Sequence, residues 1–317
     1  VNLLVTGAAG FIGSHLCERL LAEGHTVIGL DALLAAALRP QKRRNLSVLL
    51  AHPRFRFVEA AVQTADWRTL LDGVDVVFHL AGMPGVRTSW GANFTAYVEH
   101  NILATQRLLE ACSRRRLHRF VYASTSSVYG HQTGPVAETC PPAPLSPYGV
   151  TKLAGEHLCR AYAERDGLPV VILRYFTVYG PRQRPDMAFH RFIRALLTGK
   201  PIPLYGDGHQ TRDFTYIADC VEGTLATLTA PRAVGETINI GGSARASLRD
   251  VIAHLEALTG RRATIAPHDA PPGEPRHTWA DISKAQRLLG YRPQVDLRTG
   301  LARQIDDLKR LYAREAG

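Results

Sequence analysis

The tightest constraint on the fold is one short segment, Gly7-Ala-Ala-Gly10-Phe11-Ile12-Gly13. It joins an apolar strand-like run, Asn2–Thr6, to a stretch of helical periodicity, Phe11–Glu23, that stops at Gly24. Gly7 permits a tight turn, Gly10 lets the backbone approach a pyrophosphate, and Gly13 lets the helix pack closely. The helix N-terminus then faces the phosphates. A glycine triplet alone is a weak pattern. Here it is joined by an acidic residue, Asp31, at the end of a second strand-like run, Thr26–Leu30. Asp31 is suited to accept hydrogen bonds from the adenosine ribose, with Phe11 and Ile12 beside the phosphates. Its carboxylate repels a 2′-phosphate and Ala32 offers no arginine, so NAD is expected over NADP. A basic run folding back from Arg39–Arg44 would weaken that expectation.

Strand-like and helix-like segments alternate through the first half. Strands are expected at Asp75–Leu80, Phe120–Ser124 and Val170–Tyr175, with helices over Tyr97–Arg114 and Tyr148–Arg165. The texture then changes. Gly180–Asp213 is rich in Pro, Gly and Arg around a helix-like Phe189–Leu197, and Glu236–Ile240 looks like a strand returning to the sheet. Two further helices, Leu248–Thr259 and Leu301–Arg314, flank a Pro-rich loop at Ala266–Pro275. For 317 residues, about two domains are expected. The expected class is α/β: a Rossmann-type doubly wound parallel sheet with a smaller, discontinuous C-terminal substrate domain. Residues 1–176 with 213–242 form the NAD-binding part, and 177–212 with 243–317 form the cap.

The charge of +10 fits an anionic small substrate in a basic cleft as well as it fits nucleic acid. The basic residues scatter, apart from Arg39–Arg44 and Arg114–Arg119, both read as solvated loop or helix-end charge, so no nucleic-acid partner is expected. Five widely spaced cysteines form no CxxC and are read as reduced buried thiols. None of the 13 histidines has a metal-ligand spacing, so no metal is expected. No apolar run reaches the roughly 18 residues of a membrane span. The opening VNLLVTGAAG reads as strand and glycine turn rather than signal peptide, so a cytoplasmic location without membrane attachment is expected.

The chemistry concentrates at Ser146-Pro-Tyr148-Gly-Val-Thr-Lys152. Tyr148 and Lys152 are four apart and share a helix face, with Ser146 as N-cap and Pro147 in the first turn. A lysine beside a phenol favours phenolate, pulling its pKa from near 10 toward neutrality. Upstream, Ala123-Ser-Thr125-Ser126-Ser127-Val-Tyr-Gly130 ends a strand in a cluster of hydroxyls.

With these segments in this order, the chain resembles the extended short-chain dehydrogenase/reductases over essentially its whole length. Within them it is most similar to the nucleotide-sugar epimerases that act at C4 of UDP-glucuronate. GAAGFIGSHL, HLAGMPGVRTSW, ASTSSVYG, LSPYGVTK, RYFTVYGPRQRPDMAFHRF and YGDGHQTRDFTYI carry the resemblance. It implies that Tyr148 takes the proton from the sugar O4 as hydride leaves C4, and that Lys152 binds the nicotinamide ribose. Thr125 is the hydroxyl partner, and NAD stays tightly bound through a redox-neutral cycle. Leu80, Ala81, Asn101 and Phe176 match cofactor-lining positions. Arg212 and Arg276 match positions holding the diphosphate of a UDP-sugar, and Glu274 one on the uridine ribose. The resemblance also implies a C2 homodimer built on the two long helices.

Two departures stand out. Where many relatives carry Asp near the end of the third strand, this chain reads Glu59-Ala-Ala-Val62, leaving a backbone-only adenine contact. Ala32–Leu38 is unusually alanine-rich for a surface loop. The residues after Thr125 separate the related reactions. The family's 4,6-dehydratases place Asp-Glu there, and its UDP-glucuronate decarboxylases place Glu second. Ser126-Ser127 offers neither, which favours epimerisation. Thr177 replaces the asparagine usual in UDP-glucose 4-epimerases; that activity is the alternative, with UDP-glucuronate decarboxylation behind it and a non-catalytic NAD sensor as a different class. Ser126, Ser127 and Thr177 are expected to cradle the sugar carboxylate, Arg184 to anchor it from the cap, and Arg87 to add positive potential.

Overall fold

Residues 1–242 and 244–315 are described by a computed structural model. The chain runs β1 (Asn2–Thr6), α1 (Phe11–Ala22), β2 (Thr26–Asp31), α2 (Arg39–Leu50), β3 (Phe55–Glu59), α3 (Trp67–Leu70), β4 (Val76–His79), α4 (Phe94–Tyr97), α5 (Ala104–Cys112), β5 (Arg119–Thr125), α6 (Pro147–Asp166) and β6 (Val170–Tyr175). It continues through β7 (Val178–Tyr179), α7 (Ala188–Thr198), β8 (Ile202–Tyr205), β9 (Thr211–Tyr216), α8 (Ile217–Leu225), β10 (Thr237–Ile240), β11 (Ala244–Ser247), α9 (Leu248–Thr259), β12 (Ile265–His268), α10 (Ser283–Leu289) and α11 (Leu297–Glu315).

Seven of the strands form one sheet in the order β10-β6-β5-β4-β1-β2-β3, with every pairing parallel. Alternation along each strand divides the core into two layers. Leu3, Val5, Val76, Phe78, Val121, Val171 and Leu173 face one hydrophobic layer. Leu4, Val77, Phe120, Tyr122, Val170 and Ile172 face the other, against α5 and α6. Strand order reverses at β1, whose neighbours are β2 and β4. A crevice at the carboxyl ends of the strands follows from that reversal, and ligands bind there in sheets of this kind.

The smaller part holds a three-stranded sheet, β11-β9-β7, and a pair, β12-β8. The expected Pro-rich loop at 266–275 therefore begins as strand: Ile265–His268 pairs in parallel with Ile202–Tyr205. Pro267 is tolerated because this two-stranded sheet is all edge. The run from Arg39 is also more than loop charge, since it opens α2 with Pro40 in the first turn. Only Asn45, Leu46 and Leu49 of α2 are buried, too few to imprint a clear period. The expected helix over Tyr97–Arg114 is interrupted by a π-helical turn at Val98–Leu103. No described helix is long and apolar enough to cross a membrane.

Candidate active site

The cleft at the strand ends has a volume of about 460 Å³. Its lining brings together Gly7, Gly10, Phe11, Ile12, Gly13, Asp31, Leu80, Ala81, Asn101, Thr125, Ser126, Ser127, Tyr148, Lys152, Phe176, Thr177 and Arg184. At one end is the glycine turn. Gly7 has φ +74°, and a Cβ there would lie 2.9 Å from the Ala81 nitrogen; a Cβ on Gly13 would run into the Gly7 carbonyl oxygen. α1 is capped by Gly10 without a side-chain hydrogen bond, so its first N–H groups point into the cleft unmasked.

Asp31 is buried and fully engaged. Its Oδ2 accepts from the Ala9 N–H at 3.2 Å, and its Oδ1 accepts from Leu33 N–H at 2.8 Å and Lys42 Nζ at 2.7 Å. The basic run does fold back, since Lys42 neutralises the carboxylate that was expected to repel a 2′-phosphate. Sequence reasoning named that possibility without singling out Lys42. The alanine-rich loop before it holds Leu33 and Ala35 at positive φ and places Ala32, Leu34, Ala35 and Leu38 on the cleft, opposite Ala60, Ala61 and Val62. Small apolar walls around a flat crevice, a bare helix N-terminus and a ribose-height carboxylate fit a dinucleotide.

At the other end, Thr125 closes β5 and Ser146 caps α6, its Oγ accepting from the Gly149 N–H at 3.1 Å. These two elements face the Thr125 hydroxyl toward the Tyr148 phenol. Thr125 Oγ1 also accepts from the Ser127 N–H at 3.1 Å. Burial raises the Tyr148 pKa, while the Thr125 hydroxyl and the Arg184 charge draw it back down. Lys152 does not produce the expected depression in this arrangement. Its ammonium lies 4.2 Å from the centre of the Tyr122 ring, and burial lowers its own pKa to about 8.

Behind this pair sits a network that sequence reasoning missed. Glu156, one turn beyond Lys152, accepts from Arg174 Nε at 2.8 Å and Nη2 at 2.6 Å, and from Ser124 Oγ at 2.5 Å. Both charges are buried, so α6, β5 and β6 are locked together directly behind Thr125 and Tyr148. Tyr97 was missed as a site residue too; its ring meets Tyr148 edge-on at 6.2 Å. Asn101 sits in the π-helical turn and holds Met83 by both backbone groups, accepting from its N–H at 2.7 Å and donating to its carbonyl at 3.0 Å. Sequence periodicity does not signal such an interruption.

The cleft lining stops short of Arg87, Arg212, Glu274 and Arg276. They form a separate charged cluster in which Arg87, from the segment after β4, meets residues of the cap. Arg87 pairs with Glu274 at 2.6 Å, Arg212 with Glu274 at 3.3 Å, and Arg276 with Asp207 at 2.7 Å. Arg87 and Arg191 stack over Tyr205 at 4.1 and 5.4 Å. Arg191 and Tyr205 belong to this cluster and were not anticipated, because nothing in the spacing from α7 to β8 marks them.

Fold and cleft together fit a dinucleotide-dependent enzyme, with Thr125, Tyr148 and Lys152 lining one end of the cleft. Residues 3–241 match the NAD dependent epimerase/dehydratase family, and the chain belongs to that family. It is similar to a UDP-glucuronic acid 4-epimerase from Bacillus cereus solved with UDP-glucuronic acid and NAD: TM-score 0.96, 53% identity, 98% of this chain and 100% of that one. A Bacillus subtilis protein described as an uncharacterized UDP-glucose epimerase is 55% identical over 99% of this chain and 100% of its own length. A UDP-glucuronate 4-epimerase of Thermodesulfobacterium geofontis is 40% identical over 96% of this chain and 94% of its own.

Proposed function

We propose that this protein inverts C4 of a UDP-sugar, converting UDP-glucuronate to UDP-galacturonate through a 4-keto intermediate without net redox change. The observation that carries the reading is Tyr148 facing Thr125 on the cleft wall, beside Ser126 and Ser127 rather than carboxylic acids. NAD, once bound, would supply a hydride acceptor, and inversion follows because the 4-keto sugar turns to present its opposite face before it is reduced again. Tyr148 takes the proton from O4 and gives it back, with Thr125 holding that hydroxyl in line. Lys152 holds the nicotinamide ribose, and its ammonium stabilises the phenolate at the moment of transfer. Gly7, Gly10, Phe11, Ile12, Gly13, Asp31, Leu80, Ala81, Asn101 and Phe176 hold the dinucleotide.

A glucuronate oxidised at C4 is a β-keto acid, which loses CO₂ when its carboxylate bond aligns with the carbonyl π system. Ser126, Ser127 and Thr177 supply neutral hydrogen bonds that fix the carboxylate, and Arg184 anchors it from the cap. Arg87, Arg212 and Arg276 take the diphosphate and Glu274 the uridine ribose. Thr177→Ala and Arg184→Ala therefore slow epimerisation and raise the share of released UDP-4-keto-pentose. The reading fails if neither variant decarboxylates more than wild type and wild type prefers UDP-glucose, in which case the UDP-glucose 4-epimerase stands.

The coarser assignments go with this reading. Residues 1–176 with 213–242 serve the cofactor and 177–212 with 243–317 the UDP-sugar, although the cut at 213 falls inside β9. A C2 homodimer is supported by Leu103 and Val150, about half exposed on the two helical segments expected to pair, and a cytoplasmic location goes with the proposed substrate. Sedimentation at micromolar concentration tests it, and a monomer refutes it.

A further inference from the structure

Arg182 has φ +65°, a left-handed conformation shared among the described non-glycine residues only with Leu33 and Ala35. Such a conformation persists where the surroundings over-determine it. Here every polar group of the residue is tied. The Arg182 N–H donates to Asp307 Oδ2 at 3.0 Å and its carbonyl accepts from Gln41 Nε2 at 2.8 Å. Its guanidinium donates to Glu18 Oε1 at 2.6 Å and Ser14 Oγ at 3.3 Å. On either side, His15 donates to the Pro181 carbonyl at 3.0 Å, and the buried Gln183 side chain is held by the Val178 carbonyl and by Gln304.

Val178 aside, these partners come from three helices, Asp307 and Gln304 from α11 and the others from α1 and α2. Ser14, His15 and Glu18 lie on α1, the helix whose N-terminus forms the dinucleotide cradle. Gln41 lies on α2 beside Lys42, which pairs with Asp31. Two residues beyond Arg182, Arg184 enters the cleft with its guanidinium against Asp186 at 2.8–3.0 Å.

We propose that Arg182 is the positioning residue for Arg184: its locked left-handed turn, pinned to α1 and α2, sets where the Arg184 guanidinium meets the carboxylate of the sugar and ties that position to the helices holding the cofactor. The inference rests on the anchoring role given to Arg184 above. A segment that only stitched the fold together would affect stability alone.

The test uses the holoenzyme with UDP-glucuronate and three Arg182 variants beside Arg184→Ala. Arg182→Ala removes the guanidinium that offsets the left-handed strain and leaves the strain, whereas Arg182→Gly removes the guanidinium and the strain together. Arg182→Lys returns a charge opposite Glu18. Melting temperature, kcat and the share of UDP-4-keto-pentose are measured for each. Misplacing a binding group by an ångström is worth up to about 100-fold in rate. Arg182→Ala is expected to lose about tenfold or more in kcat and to raise the pentose share as Arg184→Ala does. Arg182→Gly changes both less, and Arg182→Lys recovers part of the loss. If Arg182→Ala does not fold, the glycine and lysine variants carry the same comparison. Lowered melting temperatures with wild-type kcat and product split in the Arg182 variants, while Arg184→Ala shifts the split, overturn this proposal alone. An unchanged split in Arg184→Ala overturns it together with the role of Arg184.

Discussion

The two ends of the sugar site are held in place by opposite means. Behind the proposed reaction centre, Arg174 and Glu156 are 1% and 0% exposed and bind each other, with the half-exposed Arg160 also reaching Glu156 at 3.2 Å. At the diphosphate end, the Arg276 and Asp207 side chains are 58% and 47% exposed, and Arg87 and Arg212 share one counter-ion, Glu274. The first arrangement is preorganised, so its dipoles cost little to orient when charge develops on O4. The second must exchange Glu274 and Asp207 for phosphate, in water and in salt. On the proposed reading, rigidity lies where charge develops during the reaction, and adaptable charge lies where a long ligand has to enter and leave.

The largest effect expected from that contrast is at Tyr148. Tyr148→Phe keeps the ring and its edge-on contact with Tyr97 but removes the proton carrier, at a cost of roughly 10²–10⁴-fold in kcat. Calorimetry should show UDP binding retained. Turnover near wild type would remove Tyr148 from the mechanism.

Glu156→Gln breaks the buried pair and strands the Arg174 guanidinium, which costs about 3–5 kcal/mol of stability. Urea unfolding reads this directly. A midpoint within error of wild type would mean that water or another group satisfies Arg174, and that the reaction centre is less rigid than a buried ion pair would make it.

The pH dependence sharpens the same point. Lys152 titrates at about 8 in the folded protein, below its ordinary value of 10.5. Above pH 8 its ammonium is lost and turnover falls. Stability moves the other way: between about 8 and 10.5 the unfolded chain binds more protons, so folding gains as pH rises through that window. Rates that climb steadily through this range would show that the protonated lysine is not required.

The smallest effect is expected at the exposed end. Arg276→Ala weakens UDP binding modestly, the loss shrinks as salt is raised, and the melting temperature stays at wild type. A salt-independent loss would place this arginine in a drier, more rigid site than its exposure indicates.

The sequence made the residues that line the site legible, with Arg87, Arg212, Glu274 and Arg276 among them, and left obscure those that hold them in place. Gly7, Gly10, Gly13, Asp31, Tyr148 and Lys152 sit at fixed offsets from strand and helix ends, where backbone geometry alone decides which residue types work. Their cleft lies where those offsets place it. Lys42, Arg191 and Tyr205 reach their partners through tertiary folding between segments far apart in sequence, and no local pattern records that. Lys42 lies in a run that reads simply as charge. The Glu156–Arg174 pair was hidden for another reason: a charged residue on a helix ordinarily signals a solvated face, and only the packing of β6 against α6 shows these two to be buried.

The most direct test of the central claim is to incubate the purified protein with UDP-glucuronate and no added NAD. C4 stereochemistry is followed by NMR while NADH absorbance and released CO₂ are recorded. Redox-neutral inversion predicts that UDP-galacturonate appears and approaches equilibrium, with no accumulating NADH and little CO₂. NADH accumulating in step with sugar consumed once NAD is supplied, or pentose as the main product, would contradict it.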